Sequence, residues 1–172
     1  MSAPLDIRRY RDSDAAEVRA LFVRVNRLMA PPHLRDAFED YIARSLAEEI
    51  DAIPAYYASR EGAFFVARAG GRVMGMFGLE AAGEGAAELR RMYVEPDARR
   101  RGIARKMLAF AEDEARRAGA REMVLSTSEI QEEALALYRN AGYRETREEI
   151  AADASNKTIG GGIRRFHFSK RL

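Results

Sequence analysis

The sequence predicts an α/β fold, in which one mixed sheet is layered with helices. Segments with the two-residue period of strands and segments with the period of helices follow one another along the chain. Glycine and proline stand at the boundaries between these segments. The length of 172 residues, with 47% apolar and 33% charged residues, suits one globular core. We therefore expect a single domain over residues 1–172.

The first part of the chain is predicted to contain a strand and two helices. Residues 5–10, LDIRRY, alternate apolar and polar side chains as a half-buried strand does. Asp12 or Ser13 can cap a first helix that runs to about Met29, and the break APPH separates it from a second helix over residues 34–50. Four residues of the first helix follow helical spacing and so define its predicted packed face: Ala16, Ala20, Val23 and Arg27.

Strands and helices continue to alternate through the rest of the chain. Residues 63–80 are predicted to form a hairpin, since Gly70 and Gly71 supply the positive φ angles that a tight turn needs. The further predicted elements, in chain order, are a strand over 86–96, a helix to about 118, a strand over 121–128, a helix over 129–142 and strands over 143–151 and 163–172. The glycine-rich loop IGGG, residues 159–162, precedes the last strand.

Charge and composition narrow the function classes. The 29 Lys and Arg residues nearly balance the 27 Asp and Glu residues, so a nucleic-acid partner is not expected. No apolar run reaches the roughly 18 residues of a membrane span, and the N-terminal residues lack the apolar core of a signal peptide. We therefore expect a cytoplasmic location without a membrane partner. Cysteine is absent and the two histidines, His33 and His167, are far apart, so we expect no metal site and no cysteine nucleophile.

The stretch RRRGIARK, residues 99–106, concentrates five positive charges around one glycine. It lies between the end of a predicted strand and the start of a predicted helix. The first backbone N–H groups of a helix lack partners, and glycine leaves room for a ligand, so the turn suits a pyrophosphate. Taken alone, the stretch also fits a solvated helix start or a nucleic-acid contact, and these alternatives stay open at this point.

Three motifs lie in and around this stretch. The predicted strand ends in YVEP, residues 93–96, the turn reads RRRGIA, residues 99–104, and a later helix reads ALALYRNAGY, residues 134–143. Together they resemble the GNAT family of N-acetyltransferases, whose turn has the pattern Gln/Arg-x-x-Gly-x-Gly/Ala, and the close resemblance covers about residues 88–144. It implies a mostly antiparallel central sheet with one splayed pair of parallel strands, and helices on both faces.

The resemblance also implies acetyl-coenzyme A as the cosubstrate, with no metal. The basic turn would hold the pyrophosphate, and the backbone of the preceding strand would hydrogen-bond the pantetheine arm. The residues implied in cofactor binding are Met92, Tyr93, Val94, Arg99, Arg100, Arg101, Gly102, Ile103, Ala104, Arg105 and Gln131. Gln131 stands where many relatives carry an asparagine that touches the pantetheine.

Acetyl transfer from a thioester to an amine needs a neutral amine and an acid for the departing thiolate. At pH 7 only about one in 2,500 lysine-like amines is neutral. By resemblance, Tyr138 is the general acid, and Glu88, on the strand before the turn, is the candidate general base. Tyr138 also fits a packing role, and Glu88 also fits a surface charge. Some protein-acetylating relatives carry a glutamate where this chain has Ser126.

No motif identifies the acceptor. In the family the acceptor pocket lies among the first two helices and the late strands, where the chain offers His33, Tyr41, Glu48, Glu49, Tyr56 and Tyr57. We expect a small-molecule primary amine. The alternatives are a protein N-terminus or lysine and, in another class, a non-catalytic acyl-coenzyme A sensor or a nucleic-acid module. The IGGG loop is either a hinge that lets the last strand pair with a second copy of the chain, as in a homodimer, or an ordinary loop.

Overall fold

The computed structural model describes residues 3–172, which form one seven-stranded sheet covered by helices. The strands are β1 (Asp6–Arg9), β2 (Ala63–Ala69), β3 (Arg72–Ala81), β4 (Ala86–Val94), β5 (Glu122–Ser128), β6 (Arg144–Ala151) and β7 (Ile163–Arg171). Their order across the sheet is β1-β2-β3-β4-β5-β7-β6. All neighbours are antiparallel except the parallel pair β4 and β5, which confirms the predicted sheet. The expected domain start at residue 1 lies outside the described residues.

The described residues form five α-helices. These are α1 (Ala15–Met29), α2 (Arg35–Glu48), α3 (Ile53–Ala58), α4 (Ile103–Arg117) and α5 (Glu132–Asn140). Four of them lie where the sequence predicts a helix, but α3 was not predicted. Its six residues are too few to show a helical period, and Pro54 in its first turn is a position that helices tolerate.

The sheet buries an apolar core on each of its faces. On one face α1, α2 and α3 pack around Phe22, Ile42 and Tyr57, and on the other face α4 and α5 pack around Met107 and Phe168. Alternation along β2 serves both cores, because Phe64 faces the first and Phe65 the second. Helices therefore cover both faces, as the fold prediction required.

The predicted face of α1 is wrong. The residues that the helix buries are Val18, Leu21, Phe22, Val25 and Asn26. Ala16, Ala20 and Arg27 are exposed, and Val23 is only partly buried. Both sets have helical spacing, but the larger side chains remove more apolar area from water, so they determine which side of the helix packs on the sheet.

The last strand completes the sheet within its own chain. β7 lies between β5 and β6 and pairs with both, in register from Glu122↔Arg171 to Ser128↔Arg165 on the β5 side. A second copy of the chain is not needed for this pairing, so strand exchange stays a prediction. The outer strands are the short β1 and the charged β6. No helix in the described part of the chain has both the length and the apolar character to cross a membrane.

Candidate functional site

The parallel pair of strands opens part-way along its length. Pairing joins only Ala86–Glu88 of β4 to Glu122–Val124 of β5. Beyond this point, the β5 side of residues 89–94 has no strand partner among the described residues. A β-bulge at Arg91, whose φ is +55°, also bends β4 here. The sheet therefore has a wedge-shaped opening between β4 and β5, as the resemblance implied.

The basic turn lies at the wide end of this opening, between β4 and α4. Arg100 and Gly102 have positive φ angles of +63° and +74°. The first backbone bond into α4 runs from Lys106 N–H to Gly102 C=O at 3.0 Å. Within the described chain, the amides of residues 103–105 donate to no backbone acceptor. Bare donors at the positive end of a helix form a site for a phosphate anion.

A cleft of about 630 Å³ extends from this turn into the opening between the strands. One wall comes from β4 and the basic turn, and the other comes from α5. The predicted cofactor residues that line it are Met92, Tyr93, Val94, Arg99, Arg100, Gly102, Ile103, Ala104, Arg105 and Gln131. We refer to this space as the cofactor cleft.

Arg101 is the exception among the predicted cofactor residues, because it is exposed and does not line the cofactor cleft. The backbone is left-handed at Arg100 and at Gly102, on either side of it. Three consecutive side chains cannot all point to one side of a chain that turns in this way. The run of three arginines in the sequence therefore predicted more arginines facing the cleft than the structure has.

A second cavity, of about 80 Å³, lies on the α1–α3 side of the opening. Its lining includes Tyr41, Glu88, Arg90, Arg91, Ser126, Asn156, Lys157 and Arg165. We refer to it as the acceptor pocket. Four residues line both cavities: Met92, Tyr93, Gln131 and Tyr138. The two spaces are therefore separated only by the side chains at this junction.

Tyr138 lies at the junction and is well placed to meet a ligand. Its ring packs edge-on against Tyr143, with 5.8 Å between centroids, and at a tilt against Phe168, at 6.2 Å. Burial raises the pKa of Tyr138, and no charge or hydrogen bond from the described residues contributes to that shift. The phenol is therefore protonated at neutral pH, and its hydroxyl is not committed to a protein acceptor.

Glu88 lies where β4 and β5 begin to diverge, and it lines the acceptor pocket. Lys157, from the loop between β6 and β7, donates to Glu88 Oε2 at 2.9 Å and to Glu80 Oε1 at 3.3 Å. The side chain of Lys157 is half exposed, so solvent weakens its attraction for the two carboxylates. Glu88 thus faces the pocket but shares it with a cation that the sequence did not predict.

A buried ion network forms the floor of the acceptor pocket. Glu49 is fully buried, and its carboxylate contacts Arg90 Nη1 at 2.9 Å and Arg91 Nε at 2.6 Å. Arg90 also contacts Glu80 at 3.1 Å, and Arg91 donates to Tyr41 Oη at 2.5 Å. Buried charges are tolerated when they are paired and hydrogen-bonded in this way. Two adjacent arginines inside a predicted strand were the sequence signal for this network.

The other side chains that the sequence proposed for the acceptor region separate into two groups. Tyr56 accepts a hydrogen bond from Arg90, and Tyr57 packs in the core and donates to Glu49 at 3.4 Å. His33 and Glu48 are exposed and do not line the acceptor pocket. The first group supports the pocket from behind, and the second group lies outside it.

Gln131 and Ser126 are both held by neighbours. Gln131 Oε1 accepts a hydrogen bond from Thr127 Oγ1 at 2.8 Å, which fixes its amide at the start of α5. Ser126 Oγ accepts a hydrogen bond from Arg165 Nη2 at 2.8 Å. The amide of Gln131 therefore lies at the junction of the two cavities, although its side chain is longer than that of the asparagine found in many relatives.

Comparisons with known proteins agree with this geometry. Residues 29–143 match the sequence model of the Acetyltransferase (GNAT) family. Over 138 residues the chain is 28% identical to N-acetyltransferase family 8 member 2 of Rattus norvegicus, a match that covers 77% of this chain and 60% of that protein. The chain thus spans about 60% of the length of this curated relative.

Solved structures share the fold over almost the whole chain. An N-acetyltransferase from Thermoplasma acidophilum in complex with coenzyme A has a TM-score of 0.75 at 18% identity, covering 98% of this chain and 99% of that chain. An acetyltransferase from Salmonella typhimurium with its cofactor acetyl-CoA has a TM-score of 0.73 at 20% identity, covering 98% and 94%. At these identities the likeness establishes the fold.

Proposed function

The chain belongs to the GNAT family of acetyltransferases, and on this premise we propose that it transfers an acetyl group from acetyl-coenzyme A to a primary amine. The transfer is direct, in a ternary complex of protein, acetyl-coenzyme A and amine. The described chain contains no cysteine to carry the acetyl group, and a covalent intermediate is not required by the chemistry. Residues 1–172 act as one N-acetyltransferase domain in this proposal.

The observation that carries the proposal is the meeting of the two cavities at Tyr138. At one end the cofactor cleft has bare helix amides, which suit the pyrophosphate of coenzyme A. At the other end it reaches an uncommitted phenol beside the acceptor pocket. A thioester held in the cleft would therefore reach the amine at the junction.

The reaction balances with the groups at this junction. The amine nitrogen attacks the thioester carbonyl carbon, a C–N bond forms, and the C–S bond breaks with its electron pair leaving on sulfur. Backbone N–H groups on the open side of β4 can stabilise the developing oxyanion. The Tyr138 hydroxyl gives its proton to the thiolate, and Glu88, directly or through water, takes a proton from the amine.

Several observations favour a small-molecule amine over the alternatives. The acceptor pocket is small, about 80 Å³, and the loop that carries Asn156 and Lys157 forms part of its lining. Ser126 replaces the glutamate of some protein-acetylating relatives. A nucleic-acid module is disfavoured because Arg90 and Arg91 are buried in ion pairs and cannot meet a phosphate backbone.

The phosphate assignment is tested with a shape-matched pair of variants that differ in charge, Gly102→Asp and Gly102→Asn. Both place a side chain of one shape at φ +74°, a conformation that Asn and Asp tolerate better than most residues. A Cβ at this position meets nothing within 4 Å, so neither variant creates a steric clash. Acetyl-coenzyme A at 100 times its Kd should stabilise the wild type by about 2.7 kcal/mol.

We expect the Asn variant to keep most of this ligand-induced stabilisation in thermal unfolding, and the Asp variant to lose it. Equal stabilisation of both variants would contradict a phosphate at this turn. Transfer itself is measured as thiol release from acetyl-coenzyme A against a panel of small amines and peptides. Thiol release that is faster with peptides than with every small amine would favour protein acetylation.

A further inference from the structure

The acceptor pocket contains more positive charge than its own carboxylates neutralise. Its cations are Arg90, Arg91, Lys157 and Arg165. The first three are paired, because Glu49 serves both strand arginines, and Glu80 and Glu88 serve Lys157. Arg165 is different, since no carboxylate among the described residues lies within ion-pair distance of its guanidinium.

Among the described residues, a single hydrogen bond to a neutral hydroxyl holds the Arg165 side chain. It lies on β7 opposite Ser128 of β5, and its Nη2 donates to Ser126 Oγ at 2.8 Å. The carboxylate opposite it on β6, Glu149, is already occupied by His167 at 2.7 Å and Arg147 at 3.7 Å. Burial lowers the pKa of Arg165, and the more distant carboxylates of Glu149 and Glu88 offset this effect only in part.

From this arrangement we propose that the acceptor is a small amine that also carries a carboxylate, and that Arg165 binds the carboxylate. The inference rests on the proposed acetyl transfer, whose acceptor class it specifies. Arginine presents a planar set of N–H donors that matches the two oxygens of a carboxylate, and the part of the chain that the structure describes uses only one of the Arg165 donors.

The other charges of the pocket fit the same acceptor. Glu88, the proposed base, lines the pocket at the point where the strands diverge. Its carboxylate attracts the amino group of such a molecule. Arg165 lies on β7, beyond β5, and attracts the acid group. A molecule with both charges would satisfy both sides of the pocket, whereas a simple alkylamine would leave the guanidinium without an anion.

The test is direct binding, because it does not depend on turnover. Amino acids of increasing size and their matched carboxamides are titrated into the protein saturated with coenzyme A, with heat of binding as the readout. The two members of each pair differ in the acid group, so their affinity ratio isolates its contribution. We expect at least one amino acid to bind about 10- to 100-fold more tightly than its amide, as a charge-assisted contact implies.

Two variants of the same strand complete the test. Arg165→Gln should bring the acid-to-amide affinity ratio close to one. Arg164→Gln, which removes an exposed arginine paired with Glu148, should leave the ratio unchanged. An amide that binds as well as its acid throughout the panel, no binding by any amino acid, or an Arg165→Gln variant that keeps the ratio would each overturn the proposal. Stabilisation by acetyl-coenzyme A, measured on the same samples, tests the proposed function separately.

Discussion

The cofactor cleft and the acceptor pocket meet at one tyrosine but are built in opposite ways. The cleft is large and presents donors that no described residue uses: backbone amides at the start of α4 and the exposed side chains of Arg99 and Arg100. The acceptor pocket is small, and its charges are mostly paired with one another in a buried network. In the cofactor cleft, donors without a partner among the described residues are available to bind a ligand. In the acceptor pocket, charges that are paired with one another fix the shape of the cavity.

This difference separates the parts of the site that should fail in different ways when they are altered. A change in the buried network should affect folding, a change at the junction should affect the chemical step, and a change at the basic turn should affect affinity alone. The following predictions test that separation in order of decreasing effect.

The largest effect is expected for Glu49→Gln. The substitution leaves Arg90 and Arg91 buried with their shared carboxylate removed, which should lower the free energy of unfolding by about 3–5 kcal/mol. Chemical denaturation measures this loss. Glu48→Gln is the matched control, since the neighbouring glutamate is exposed and its change should stay within about 0.5 kcal/mol. Similar stabilities for the two variants would show that the network is not a structural element.

Tyr138→Phe should affect chemistry without affecting the fold. The hydroxyl has no hydrogen-bond partner among residues 3–172, so its loss should leave unfolding and the stabilisation by acetyl-coenzyme A nearly unchanged. Loss of a positioned proton donor should lower kcat by about 10²-fold or more. The measurement is thiol release under saturating conditions.

Tyr143→Phe is the control for this prediction, because its ring contacts Tyr138 but its hydroxyl donates to Glu112 at 3.0 Å. It should lower stability by about 1 kcal/mol and leave kcat within about threefold of wild type. If Tyr138→Phe also turns over within about threefold of wild type while chemistry limits the rate, another group protonates the thiolate.

The smallest effect is expected at the basic turn. Arg100→Gln should weaken acetyl-coenzyme A binding by about two- to fivefold, since exposed charge contacts contribute up to about 1 kcal/mol. Arg101→Gln changes the net charge by the same amount but alters a side chain outside the cleft, so its affinity should match the wild type. Titration calorimetry distinguishes the two, and equal losses would mean that only overall charge matters.

The same contrast explains what the sequence could predict. The turn and the start of α4 are contiguous, and a pyrophosphate site made of backbone amides needs only a local pattern around Gly102. The order of strands and helices was also predictable from local periodicity. The exceptions are α3, which is too short to show a period, and the face of α1, where two stripes of equal spacing compete and only packing against the sheet decides.

The acceptor pocket could not be predicted in this way. Its charged residues come from the residue after α2, from β3 and β4, from the loop between β6 and β7, and from β7 itself. Nothing in the local sequence shows that Glu49 meets Arg91 or that Lys157 meets Glu88. Such contacts depend on the twist of the sheet and on the path of a long loop. Tyr138 could be predicted only through the family motif, since a buried tyrosine on a helix face more often has a packing role.

The opening between β4 and β5 has a consequence for the behaviour of the protein in a crowded solution. An unpaired strand edge can recruit a strand from another polypeptide and begin aggregation. Here the exposed edge of β4 is interrupted by the bulge at Arg91, and the cations Arg90, Arg91 and Arg165 flank it. Bulges and inward-pointing charges are devices that block strand addition. The interior of the sheet can thus stay open to a narrow small molecule while it resists invasion by a second chain.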